Sequence, residues 1–525
     1  MRQLDIHCRV LLLFCCSLLF TATILSVAET ARGSLIGPDD KIELLVSSEW
    51  RWTQAVISGN AVKIEKPGEY ILEFQRDGSV RIKADCNRVI GKYTVNGNAL
   101  EISLGQSTMA MCVEGSRSDE FLALLSKIKS FHIAVAGMMT VVLKDDSVMI
   151  FSTPKPIDLC GERAFRARKM ADTVPPSVSK KLDERLELFV QSLASPAPGA
   201  SMLVITPNGK YLKSVGVSDV RTCQELAADS AFQIGSNTKM MTAAMIYQLQ
   251  EEGRLSTTDK VTKWLPSLVD KFSNLDKITI EMLLSHTSGL KDYFDNDTGT
   301  GAIKDGVKNK SILVRGYKPL ELIMAADPKP LFEPAESGKW SYSNTGFIML
   351  GLIIEKVTGT SYEQNLAKRV IRPLRLKRTY LQRGQPRPGA LPQAYYSSPF
   401  TYTTREWNAS QGWAAGAVVS TPDEFATFLK AVFTGKLFKN GSTLATMETC
   451  PTAGKDVLGP GSQYCHGSVN FNGAWGHGGQ TLGFQSIGGY MPDIDSTFVV
   501  WTNSASSSAN GLAVPSIVEI IRSGM

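Results

Sequence analysis

Residues 232–239 read Phe-Gln-Ile-Gly-Ser-Asn-Thr-Lys, and Met241, Ala244, Met245 and Leu249 follow at helical spacing before Gly253. Residues three apart meet on one helical face, so Ser236 and Lys239 point into the same cleft. In the first turn of a helix the Ser236 N–H has no intrahelical partner and is available to a developing oxyanion. A nearby amine accepts the serine proton once burial and a second cation depress its pKa. The tetrad is weak evidence alone, because Ser236 could serve only as a helix cap.

Working outward, a helix is predicted over Ser179 to Leu193, with Leu182, Leu186, Phe189, Val190 and Leu193 toward the core. Ser201–Thr206, the Asn208-Gly209 turn and Tyr211–Val217 make a hairpin. Near the other end, Phe484–Tyr490 and Thr497–Thr502 flank the turn MPDID, and Val514–Ile521 gives a short helix. Antiparallel strands at both ends, with about 250 helix-rich residues between, predict one large domain assembled from distant parts of the chain. This order is not βαβ repetition and disfavours a Rossmann or standard α/β-hydrolase fold.

Two further elements carry chemistry. Tyr342-Ser343-Asn344 opens the helical pattern of Phe347, Leu350, Ile353 and Ile354; Tyr342 offers a phenolic proton relay and Asn344 an amide for the substrate backbone. A core tyrosine followed by Asn344 as N-cap is the plainer alternative. Trp475-Gly-His477-Gly478-Gly479-Gln480-Thr481 precedes the strand at Phe484. Its glycines let backbone approach a substrate, the Gln480 N–H is a candidate second oxyanion donor, and His477 a candidate partner for a substrate carboxylate. Gly478 and Gly479 read equally as a simple bend.

SNTK, YSN and HGG in this order, with LLSHTSGL from Leu283 and WAAGAVVSTPDEFATF from Trp413, resemble the penicillin-recognising serine hydrolases: class C β-lactamases, D-alanyl-D-alanine carboxypeptidases and related esterases. The resemblance covers residues 176–525. It implies an antiparallel sheet flanked by helices, a mainly helical subdomain and an active site between them. It also implies that Ser236 is the acyl-forming nucleophile, that Lys239 and Tyr342 share proton transfer, that Asn344 lines the cleft, and that His477 begins the third motif. The pattern departs at Gly478, where such enzymes usually carry a threonine or serine. The missing donor to a carboxylate is worth about 1.5 to 3 kcal/mol. His477 is also less reliably cationic than lysine, with a reference pKa near 6.5. Both departures weaken β-lactam hydrolysis more than ester or D-peptide hydrolysis. His286 in LLSHTSGL looks structural.

Between Glu49 and Phe151 the pattern changes to strand period. Tyr70, Leu72 and Phe74 alternate before the Asp77-Gly78 turn, and Val80, Ile82 and Ala84 resume after it; Tyr93 and Val95 face Leu100 and Ile102 across Asn96-Gly97. Phe121, Leu124, Leu125, Ile128 and Phe131 fall on one helical stripe, and Met139–Leu143 and Val148–Phe151 form a last hairpin. Trp50, YILEFQRDGSVRI, CNRVIGKY from Cys86 and TMAMC ending at Cys112 resemble the META domain of secreted and envelope-associated bacterial proteins, over residues 38–155. That family offers no catalytic set; the module reads as a folding or spacer domain, or as a binding module for an envelope partner. Residues 156–178 read as a linker and 179–525 as the hydrolase domain.

Composition bounds the rest. The chain has 525 residues, 43% hydrophobic and 20% charged, which excludes a coiled coil, a collagen-like fibre or a wholly disordered chain. The excess of lysine and arginine, 56 − 50 = 6, forms no basic block, so nucleic acid is not indicated as a partner. Arg2 and Arg9 precede the apolar run Val10–Val27, and Ser26 and Ala28 suit signal-peptidase cleavage before Glu29. Residues 1–28 are therefore expected to be a secretory signal, the alternative being an uncleaved membrane anchor. Cys86, Cys112, Cys160, Cys223, Cys450 and Cys465 would remain. Among 15 possible pairings, locality favours Cys86 with Cys112 and Cys450 with Cys465, leaving Cys160 with Cys223. No metal-ligand spacing occurs, and neither a metal nor another cofactor is expected. The function expected is a secreted serine hydrolase of small esters, amides or D-amino-acid peptides, with a β-lactamase and a catalytically idle scaffold as the alternatives.

Overall fold

The computed structural model describes residues 42–524 apart from internal stretches, the longest being 154–166, 192–196, 295–314 and 397–401. The expected signal segment and Cys160 lie outside the described residues. The chain divides into two compact units, one made mainly of residues before 160 and the other mainly of residues after.

Among the described residues the first unit forms an antiparallel sheet of nine strands, in which the strand Glu49–Ile57 also pairs with Val148–Ser152, closing the sheet on itself. Alternation drives this closure: in Asn87–Asn96 every second residue through Tyr93 is buried, and its partners Leu100 and Ile102 point the same way. The hairpin expected at Asp77-Gly78 forms with Leu72 opposite Ile82. Trp50, Trp52, Phe74, Phe121 and Phe151 fill the interior, and Trp52 stacks on Phe121 at 5.2 Å. The expected helical stripe is shorter than read: the helix is Ser118–Leu125, and Ile128 and Phe131 belong to the strand Ile128–Ala134. In this short segment one apolar spacing fits both periods, and pairing with Met138–Leu143 decides for the strand. A disulfide joins Cys86 to Cys112.

The second unit is built on an antiparallel sheet whose strands come from both ends of the chain. Gly199–Thr206 pairs with Ser496–Thr502, from Ala200 opposite Thr502 to Ile205 opposite Thr497. Helices Pro176–Gln191 and Ala509–Ser523 cover one face, packing Leu182, Leu186, Ile517 and Ile521 on Met202, Val204, Tyr211 and Val500. The other face carries Leu203, Leu212, Val499 and Trp501 into the larger core with helices Thr238–Glu251, Asn344–Thr358 and Pro422–Phe433. Thr238–Glu251 is apolar on nearly every side because it runs through this core. Part of the stretch read as linker belongs to the sheet: Arg168–Asp172 pairs with Gly209–Asp219 as an edge strand. Its polar sequence, Arg-Lys-Met-Ala-Asp, hid it from a hydrophobic pattern.

Candidate active site

Ser236 sits in a single turn, Gly235–Asn237, between the short strand Phe232–Gln233 and the helix Thr238–Glu251. Asn237 locks this turn, its Nδ2 donating to Ile234 O at 2.7 Å and to Ser486 Oγ at 3.0 Å. Two glycines bring the turn against the strand Ala474–Gln480. A Cβ on Gly235, whose φ is +53°, would lie 2.6 Å from Gln480 N, and a Cβ on Gly479 would lie 2.0 Å from Ile234 O. Only glycine allows this approach, and the Gln480 amide consequently runs beside the turn that carries Ser236. The HGG segment is thus part of a strand and not the bend considered above.

Lys239 is fully buried in the first turn of the helix. Its Nζ lies 3.1 Å from Ser236 Oγ, 2.6 Å from Asn344 Oδ1 and 2.8 Å from Ala415 O. Burial lowers its pKa to about 7 against the opposing pull of Asp292. A neutral amine has two N–H bonds and one lone pair. The acceptors Asn344 Oδ1 and Ala415 O match the two donors, which leaves the lone pair for the Ser236 hydroxyl.

Tyr342 is partly exposed at the cleft, and its hydroxyl hydrogen-bonds the Ser236 side chain. Burial pushes this phenol far above its ordinary pKa, so it is protonated at neutral pH. The Lys239 amine stands 4.8 Å from the Tyr342 ring centroid. Ser343, not Asn344, caps the helix Asn344–Thr358, accepting from Gly346 N; Asn344 is left free to turn its amide toward Lys239. His286 does not reach Ser236 chemistry. It ends the helix Ile280–Ser285 in the left-handed region at φ +60°, accepts from Ser343 N at 3.2 Å, takes Ser341 N on its carbonyl at 3.1 Å, and packs its ring 4.3 Å from that of Tyr342. It therefore holds the backbone on both sides of Tyr342.

His477 is buried and neutral, with its pKa lowered to about 3 by burial and by the neighbouring Lys239. Its Nδ1 bonds Gly478 O and its Nε2 bonds the Tyr464 hydroxyl at 3.2 Å. With a carbonyl at Nδ1, the proton resides there and Tyr464 donates to Nε2. A charge-stabilising role toward a substrate carboxylate, considered from the sequence, does not fit this arrangement. Gly478 differs from Gly479: a Cβ there meets nothing within 4 Å, and its φ is not positive.

Three participants escaped the sequence reading. Ala415 O comes from the WAAG segment, quoted only as a structural match. Tyr464 lies next to Cys465, whose disulfide with Cys450 forms as expected. Asp292 is buried, and its Oδ2 accepts from both Asn344 N at 3.0 Å and Asn344 Nδ2 at 2.7 Å. No spacing marks these residues, because their partners lie 13 to 176 positions away and only the fold brings them together. Cys223 is disulfide-bonded, and Cys160, the partner expected for it, lies outside the described residues. Among the described residues, no group of three or more His, Cys, Asp or Glu side chains is placed to hold a metal ion.

Residues 183–518 match the Beta-lactamase family. The chain belongs to the beta-lactamase family. Residues 43–155 match the META domain, so the closed nine-stranded unit is the META domain preceding the beta-lactamase unit. A putative penicillin-binding protein of Bacillus subtilis is 27% identical over 299 residues, 54% of this chain and 68% of that protein. The teichoic acid D-alanine hydrolase of Staphylococcus aureus is 28% identical over 264 residues, 49% of this chain and 58% of the hydrolase, so the match spans less than two thirds of that relative. The crystal structure of a D-stereospecific amidohydrolase from Streptomyces sp. is 28% identical with a TM-score of 0.57, covering 66% of this chain and 98% of that one. The D-amino acid amidase of Ochrobactrum anthropi, at 23% identity and a TM-score of 0.54 over 66% of this chain and 98% of that one, shares the fold. With this family membership and these hydrolases among its relatives, the protein is a serine hydrolase.

Proposed function

We propose that the protein hydrolyses D-aminoacyl esters or amides that lack a free carboxylate beside the scissile bond, through an acyl-enzyme on Ser236. The observation that carries this reading is the third motif: His477 is neutral with both ring nitrogens engaged, and Gly478 supplies no hydroxyl. A carboxylate bound there would find neither cation nor hydroxyl from this strand, which disfavours D,D-carboxypeptidase substrates and β-lactams. The similarity to a teichoic acid D-alanine hydrolase and a D-stereospecific amidohydrolase points the same way.

In this mechanism Ser236 Oγ bonds to the acyl carbon as its proton passes to the neutral Lys239 amine. The Ser236 and Gln480 N–H groups receive the charge on the carbonyl oxygen. The bond to the leaving oxygen or nitrogen breaks as the protonated Tyr342 hydroxyl donates to it, and the proton held on Lys239 then neutralises the Tyr342 phenolate while Ser236 Oγ keeps the acyl group. Water then enters by the reverse path and releases the acid. The disulfides Cys86–Cys112 and Cys450–Cys465 suit an oxidising compartment, in keeping with secretion directed by residues 1–28. The test is a matched panel of D-alanine esters and anilides, acylated D-Ala-D-Ala peptides and nitrocefin. Esters and anilides should exceed the carboxylate-bearing substrates by about tenfold or more in kcat/KM, following the lost donor. Preferred turnover of nitrocefin or of the D-Ala-D-Ala peptide would overturn the assignment. A fluorophosphonate that labels wild type but not S236A would exclude the idle-scaffold alternative.

A further inference from the structure

Asp292 follows the HTSGL segment by two residues and engages Asn344 twice, at the backbone N–H and at the side-chain amide. The orientation of the Asn344 amide matters more than its presence. With Oδ1 toward Lys239, the amine donates to it and keeps its lone pair for Ser236. With the amide reversed, Nδ2 would donate into that lone pair, and Lys239 could no longer take the serine proton. Asp292 Oδ2 accepts from Asn344 Nδ2 at 2.7 Å, and its Oδ1 accepts from Phe294 N at 2.9 Å. Both oxygens therefore face donors. An asparagine in this place would set an NH2 group against either Phe294 N–H or the two Asn344 donors, so only a carboxylate satisfies the site.

We infer that Asp292 is the positioning residue of the active site: it fixes the Asn344 amide so that Lys239 presents a lone pair to Ser236, and its negative charge sets the pH range in which that lone pair is available. This deepens the proposed acyl-enzyme chemistry and rests on it. The charged and titratable groups around the Lys239 amine are Asp292 from the segment after HTSGL, His286 from the end of the preceding helix, Tyr342, and His477 from the sheet. His286 and His477 are both held neutral by burial, leaving Asp292 as the anion that favours the ammonium form. Its removal should make Lys239 easier to deprotonate even as the geometry degrades.

The experiment follows the second-order rate of fluorophosphonate labelling at Ser236 against pH, in full-length protein, for wild type, Asp292→Asn and Asn344→Asp. Wild-type labelling at Ser236 tests the acyl-enzyme reading itself; its absence would sink that reading before Asp292 is considered. Given wild-type labelling, Asp292→Asn should label about 10- to 100-fold more slowly at its plateau, matching a lost charge-assisted contact. Its acid limb should move to lower pH, whereas a merely structural defect would lower the rate at all pH values and leave the limb in place. A folded Asp292→Asn protein with an unmoved limb, or a wild-type plateau, overturns the inference. Asn344→Asp keeps the side-chain shape but has no Nδ2 to give Asp292, so it should lose at least tenfold in rate. Should Asp292→Asn fail to fold, wild-type labelling by Asn344→Asp is the overturning result.

Discussion

Lys239 and Lys213 of the beta-lactamase unit are both almost wholly buried, in opposite surroundings. Lys239 meets a hydroxyl, an amide oxygen and a backbone carbonyl, and burial lowers its pKa to about 7. Lys213 meets two carboxylates, Asp172 Oδ2 at 2.8 Å and Asp183 Oδ1 at 2.9 Å, with Ser179 Oγ at 3.2 Å. Burial opposes its charge, but the two aspartates raise its pKa above the ordinary lysine value. The same side chain is a proton acceptor where its direct partners are neutral and a fixed cation where they are anionic. Position follows from this. Lys213 ties the edge strand Arg168–Asp172 and the helix Pro176–Gln191 to the sheet, whereas Lys239 lies against the Ser236 hydroxyl.

Lys239→Met should remove the sharpest side of this contrast. It should lower kcat/KM about 10²- to 10⁴-fold, the range for a lost general base, while melting temperature at pH 6 is kept or raised. Lys239 is charged below pH 7 in both folded and unfolded states, so the cost of burying its ammonium is then fully present and the methionine relieves it. Lys213→Met should do the reverse. It leaves Asp172 and Asp183 without their cation and should cost about 3 kcal/mol in urea unfolding, the lower end of the buried-pair range because both carboxylates are partly exposed. Activity per folded molecule should stay within about threefold of wild type, as for sites remote from the chemistry. The stabilisation by Lys213 is present below the unfolded lysine pKa and is lost only as pH rises through its raised folded value.

The pH dependence sharpens the contrast further. Because Lys239 must be neutral to take the serine proton, kcat/KM should rise with pH through about 7 and fall about tenfold for each unit below it. A rate flat from pH 5 to 9 would remove Lys239 from the role of base. The smallest effect belongs to Gly478→Thr. Open space and an ordinary backbone conformation make the variant foldable, and the new hydroxyl should raise activity on carboxylate-bearing substrates relative to matched neutral esters by about 10-fold. An unchanged ratio in a protein with a wild-type melting temperature would show that a carboxylate does not bind at this strand.

Legibility followed the range of the interactions. Ser236 and Lys239 were readable because helical spacing alone puts them on one face, and the Asp77-Gly78 hairpin because turn chemistry and alternation are both local. The strand Arg168–Asp172 was not, since its polar sequence is explained by an edge position that exists only when Gly209–Asp219 lies beside it. Ile128 and Phe131 fitted a helical stripe until strand pairing claimed them.

The sequence by itself determined the candidate reacting groups, their order along the chain, the META domain ahead of the beta-lactamase unit and the absence of a hydroxyl at Gly478. Tertiary structure alone decided the protonation and orientation of those groups. His477 is neutral because burial and the neighbouring Lys239 outweigh the pull of Gly478 O, and Lys239 is held near neutrality by burial among segments that bring Asn344 and Ala415 from 105 and 176 residues away. A pKa depends on solvent exclusion and on charges within a few ångströms, and both are set by which distant segments pack together.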